Sequence, residues 1–97
     1  MEVPKSIQRI LQRGVFELKP ARILLFGSRA RGDAGTHSDF DLAFQGVGDS
    51  AAWSQFAAEM AFDAPTLYGL DVVRYEAVPL ELQASIDREG VVLYEAR

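Results

Sequence analysis

The sequence has no cysteine, so it carries no disulfide framework and no thiolate metal site. That composition fits a reducing, cytoplasmic setting. No apolar run approaches the ~20 residues a membrane span requires, and Met1 to Ser6 has no signal-peptide character. Basic excess is also missing. Ten Lys and Arg stand against fourteen Asp and Glu, a net charge of −4, which argues against direct, general nucleic-acid binding. Repeats, low-complexity tracts and linkers are absent, and only four prolines punctuate the chain. What is present, 48% hydrophobic and 25% charged residues over 97 positions, describes a single domain, residues 1–97, with one modest core.

The chemistry concentrates in residues 26 to 42. Ile23-Leu24-Leu25-Phe26 reads as a buried strand, too short for a helix and bounded by breakers. It runs into Gly27-Ser28, where glycine permits a tight turn and close approach of backbone to a ligand. Residues 28 to 31 open a short helix whose free N–H groups suit an anion such as phosphate. Downstream, Asp39 and Asp41 alternate with Phe40, Leu42 and Phe44. In a strand that alternation places both carboxylates on one face and the apolar side chains on the other. Two neighbouring carboxylates repel, so the pair calls for a proton or a hard cation such as Mg²⁺, whose remaining ligands often come from substrate phosphates. A phosphate cradle beside such a pair describes a phosphoryl- or nucleotidyl-transfer site.

The flanking chain supplies a scaffold. Pro4 and the spacing of Ile7, Ile10, Leu11, Val15 and Leu18 predict an amphipathic helix over 4–18, weakened by Gly14. Asp33 to His37 reads as a polar turn, with His37 a turn residue and not a base. Asp49 or Ser50 caps a second helix carrying Trp53, Phe56, Ala57, Met60 and Ala61 toward a sheet. Leu70 to Tyr75 reads as a third strand containing Asp71. Pro79 opens a third long helix that Gly90 stops, and Val91 to Tyr94 forms an edge strand. The aromatic residues Trp53, Phe56, Phe62 and Tyr68 cluster near one helix and its exit, with part of that surface expected to stay exposed.

Gly27-Ser28-Arg29-Ala30-Arg31-Gly32, followed by Ser38-Asp39-Phe40-Asp41-Leu42, resembles the signature of the polymerase-beta-like nucleotidyltransferase superfamily, in its short, single-domain branch of minimal nucleotidyltransferases (MNT proteins). The resemblance covers the whole chain in length and element order, and its specificity lies in residues 27 to 42. It implies an α/β (α+β) nucleotidyltransferase fold, with a mixed sheet of about four strands and helices on one face. It implies that Asp39 and Asp41, with Asp71 as a third carboxylate, hold two Mg²⁺ ions for attack on the α-phosphorus of ATP, Asp71 also serving as proton acceptor. Gly27 and Ser28 become the triphosphate cradle and Arg29 or Arg31 a compensating charge, while Ser38, also counted among the cofactor-binding residues, caps or steers the carboxylate turn.

The branch also implies a partner. Its members are commonly encoded beside a small helical HEPN-family protein, and many pairs act as toxin (HEPN) and antitoxin (MNT), several of the latter transferring AMP to a tyrosine of the toxin. A hetero-oligomer with such a toxin is the expectation, because the chain leaves no length for a second, substrate-gripping domain. The rivals are an antitoxin that neutralises by binding alone and a nucleotidyltransferase acting on a small-molecule acceptor.

Overall fold

The apolar run ahead of Gly27 lies inside the sheet. In the computed structural model, which describes residues 2–35 and 38–97, this run forms β1 (Arg22–Phe26), with three consecutive buried residues at its centre. Such a run without polar alternation fits a strand covered on both faces. Among the described residues the elements are α1 (Lys5–Leu18), β1, α2 (Ser28–Arg31), β2 (Phe40–Gln45), α3 (Ser50–Asp63), β3 (Leu70–Arg74), a 3-10 turn (Tyr75–Ala77), α4 (Leu80–Glu89) and β4 (Val91–Glu95). The sheet order is β3-β2-β1-β4. β1 pairs antiparallel with β2 and β4, whereas β2 and β3 are parallel because α3 carries the chain back between them. The sheet is therefore mixed and four-stranded, with β4 at an edge as its sequence suggests.

Local chemistry accounts for the boundaries. Of the two candidate caps of α3, Asp49 holds the position: its side chain accepts the Ala52 N–H at 3.0 Å. α1 ends at Lys19, in the left-handed region (φ 47°), ahead of Pro20. The helix runs unbroken through Gly14, which is buried against Phe44, where an added Cβ would meet the ring. Tyr75, expected to end the third strand, falls just beyond it. It opens the 3-10 turn, and its hydroxyl donates to Asp87 of α4 at 2.8 Å.

One sheet face is a conventional core. Ile7, Ile10 and Leu18 of α1 and Phe56 and Met60 of α3 close over Ile23, Leu25, Phe40, Leu42 and Phe44. The Phe44 ring lies 5.6 Å from that of Trp53 and 5.4 Å from that of Phe56. Each such side chain contributes roughly 1.5–3 kcal/mol by leaving water. Ala61, also assigned to that helix stripe by its spacing, is exposed.

The expectation that helices keep to one face needs correction. α4 lies on the other face, where Ile86 is fully buried against Leu24 and Ala43, with Val73, Val78 and Leu82 around it. Those strand residues alternate with the first core set, so they face the opposite way and need their own apolar cover. The cover is partial. Toward the Phe26 end of β1, Asp41 is half-buried, and Asp39 and Asp71 are exposed. Among the described residues no helix is long and apolar enough to cross a membrane.

Candidate active site

β1 delivers the chain to Gly27, whose φ of 77° and ψ of −156° suit a residue without a side chain. A Cβ at Gly27 would also have to displace the Asp41 carboxylate. The turn continues into α2, where the N–H groups of Ala30 and Arg31 both reach Gly27 O at 3.1 Å. Gly32 closes the helix in the left-handed region (φ 83°), and its N–H returns to Ser28 O at 3.1 Å. The first N–H groups of α2, those of Ser28 and Arg29, precede any acceptor within the helix and point back toward Gly27.

β2 carries Asp41 into register with Phe26 on one side and Asp71 on the other. In a parallel pair, residues in register project to the same face, so Asp41 and Asp71 stand side by side with Ala43 and Val73 beyond them. Asp39 precedes the strand on the same face as Asp41. Its Oδ1 occupies the space that a side chain at Gly69 would take, and the Phe40 N–H donates to Gly69 O at 2.9 Å. Gly69 is thus part of the site. Nothing in the local sequence marks it, because its role depends on β3 lying parallel to β2.

The electrostatics of the cluster are unfavourable as it stands. Burial pushes the Asp41 carboxyl above the usual aspartate range, the charges of Asp71 and then Asp39 push it further, and that of Arg31 pulls it back. Hard oxygen donors and uncompensated negative charge are what a divalent cation takes up, so Asp39, Asp41 and Asp71 fit Mg²⁺ in chemistry. Among the described residues, however, no group of three His, Cys, Asp or Glu side chains converges closely enough to hold a metal ion. The three carboxylates share a face without forming a closed set of ligands.

The two arginines of the motif differ. Arg29 donates from Nε to Ser38 O at 2.9 Å, and its guanidinium carbon lies 4.0 Å from the centre of the Phe40 ring and 5.7 Å from that of Tyr68. Arg31 is exposed, pairing with Asp33 at 3.3 Å and with Glu89 of α4 at 3.1 Å. The Ser38 hydroxyl accepts the Gly35 N–H at 2.9 Å, while its own N–H reaches Gly35 O at 3.2 Å. His37, read from the sequence as a turn residue, lies outside the described residues.

A short helix thus follows the central strand, a carboxylate strand lies beside it, and a third acid stands on a parallel neighbour. The chain belongs to the polymerase beta nucleotidyltransferase family, whose model matches residues 5–97. Among functionally curated proteins none matches it by sequence. Solved structures it resembles include a mutant of the MntA-HpeT toxin–antitoxin (22% identity, TM-score 0.67, covering 100% of this chain and 76% of the other). A toxin–antitoxin with AMP-PNP is similar (23%, TM-score 0.65, 96% and 73%). So is a structure assigned to the minimal nucleotidyltransferases (24%, TM-score 0.61, 87% and 85%).

Proposed function

We propose that this chain is a Mg²⁺-dependent nucleotidyltransferase that moves AMP from ATP to a hydroxyl, a tyrosine in our reading, of a HEPN-family toxin, and so acts as a cytoplasmic antitoxin in a hetero-oligomer with it. The observation that carries the reading is Asp41, held in register with Asp71 and facing the bare Cα of Gly27. Family membership and the toxin–antitoxin structures it resembles support the class and the kind of partner. Asp39, Asp41 and Asp71 would hold the magnesium, which when bound supplies neutralising charge to the triphosphate and acidifies the acceptor hydroxyl.

The chain's own groups do the rest. Gly27 lets the triphosphate approach the backbone, and the Ser28 hydroxyl with the first N–H groups of α2 holds its terminal phosphates. The acceptor oxygen bonds to the α-phosphorus, the bond to the bridging oxygen breaks, and pyrophosphate leaves. Asp71, exposed at the sheet edge, takes the hydroxyl proton. Arg31 stands at the end of α2 with its charge already felt at Asp41, which suits it to compensate phosphate.

A second reading, neutralisation by contact alone, draws on the fact that, among the described residues, the carboxylates do not converge on a common point. Intact mass of the co-expressed partner separates the two. Transfer adds one or more AMP units, and the addition disappears with Asp41→Asn. A partner that is neutralised at unchanged mass, equally well by Asp41→Asn, overturns the catalytic reading.

A further inference from the structure

We propose that Arg29 is a positioning residue for Asp39 and not a ligand of the triphosphate; the inference rests on the site assigned above and gives one of its two arginines a different task. In β2 and the residue before it, Phe40 projects to the α1–α3 face while Asp39 and Asp41 project to the other. The Arg29 guanidinium lies over the Phe40 ring, 4.0 Å from its centre, so it sits on the core side of the strand's start, away from the carboxylate face. Phe40 is itself buried and meets Tyr68 edge-on at 5.3 Å, which makes the stacking surface a fixed one.

The polar edge of Arg29 is engaged as well. Its Nε–H donates at 2.9 Å to Ser38 O, the carbonyl of the peptide that leads into Asp39. That peptide has limited freedom on either side. The two hydrogen bonds between Gly35 and Ser38 hold it from before, and the Phe40 N–H bond to Gly69 O at 2.9 Å holds it from after. With the peptide plane fixed, the Asp39 carboxylate stays against Gly69 and within electrostatic reach of Asp41. Arg29 also belongs to α2, so one side chain ties the helix of the cradle to the start of the carboxylate strand. A lysine carries the same charge but neither the planar surface nor the Nε–H.

The test compares Arg29→Gln and Arg29→Lys with the wild type in three measurements: amide exchange of Asp39 and Phe40 in the free protein, calorimetric affinity for a non-hydrolysable ATP analogue, and the transfer rate. Losing the charge-assisted Nε–H bond and the planar stacking surface should speed exchange at these amides about tenfold in both variants and slow transfer about tenfold, with analogue affinity changed less than about twofold. Phe40→Leu, which keeps an apolar side chain and removes the ring, should reproduce part of the exchange effect if Arg29→Gln does not fold. Unchanged exchange, with analogue affinity lost in Arg29→Gln and restored in Arg29→Lys, overturns the proposal and makes Arg29 a phosphate ligand. A wild type that binds no nucleotide and transfers nothing would defeat the assigned function, while the exchange measurement would still decide the task of Arg29.

Discussion

The two faces of one sheet are built from the same strands to opposite ends. On the α1–α3 face, Ile23, Leu25, Leu42 and Phe44 are fully buried in an apolar cluster. On the other face the same strands offer Leu24 and Ala43 to α4 and then, one pleat along, Asp41 beside Asp71. The first face lowers the free energy of the fold. The second holds a half-buried carboxylate against two others, an arrangement that burial and repulsion both oppose. Strand alternation lets one chain do both: a residue's parity decides whether it serves stability or chemistry, so damage to the two should be separable.

The largest expected effect breaks the chemical face alone. Asp41→Asn should lower AMP transfer by roughly three orders of magnitude or more, since the carboxylate proposed to hold the metal is gone. Stability in urea should stay level or rise, because a like charge has been removed from an unfavourable cluster. Near wild-type transfer in this variant, seen as partner mass, would remove Asp41 from the site.

Phe44→Ala is the mirror experiment. Phe44 lies three residues along the same strand, on the opposite face, against Trp53 and Phe56. Emptying that space should reduce unfolding free energy by about 3–5 kcal/mol, a large part of the ~5–15 kcal/mol typical of a domain. Below its denaturation midpoint the variant should still transfer AMP at close to the wild-type rate per folded molecule. If Phe44→Ala silences transfer while fully folded, the two faces are coupled and the division fails.

That division was legible in the sequence only where it rests on local pattern. The alternation of Asp39-Phe40-Asp41-Leu42 and the strand–glycine–helix order at residues 23 to 31 depend on near neighbours, and the structure reproduces both. Two features depend on which strand meets which. α4 covers the second face because Leu24, Ala43 and Val73 come together there, and they are far apart in the chain. Gly69 touches Asp39 only through the parallel β2–β3 pairing. The aromatic residues near α3 divide by helix facing: Phe56 is 1% exposed, whereas Phe62 is 89% exposed and Tyr68 42%. Arg29 and Arg31 look equivalent as sequence, yet one stacks on Phe40 and the other pairs with Asp33 and Glu89.

A smaller effect comes from the junction of the two faces. Gly27→Ala places a Cβ at a φ of 77° and against the Asp41 carboxylate. Backbone strain and the displaced acid together should remove about 1–3 kcal/mol of stability. They should also weaken binding of an ATP analogue, because the cradle is filled. Calorimetry and a thermal melt check both effects. Unchanged analogue affinity would take the cradle out of the mechanism.

The smallest effect distinguishes the faces by the sign of their pH dependence. Asp41 has its folded pKa raised, chiefly by burial and then by Asp71 and Asp39. Between the ordinary aspartate value and that raised value the folded state binds more proton than the unfolded chain, so stability falls as pH rises through this window and is flat above it. Glu59 acts the other way. Its bidentate pairing with Arg13, at 2.7 and 2.8 Å between α1 and α3, lowers its pKa, so its contribution is present above the ordinary glutamate value and is lost as pH falls through the folded one. The wild-type profile mixes the two. The difference between wild type and Asp41→Asn does not, because the Arg13–Glu59 pair is common to both proteins. Urea unfolding across the acidic range should therefore show the wild type losing ground to Asp41→Asn as pH rises through the carboxylate window. Added Mg²⁺ should close the gap at neutral pH by neutralising the cluster that creates it. A difference that is flat across the window, or that grows in favour of the wild type as pH rises, would mean that the Asp41 carboxylate is favoured in the free fold and that the second face carries no electrostatic stress.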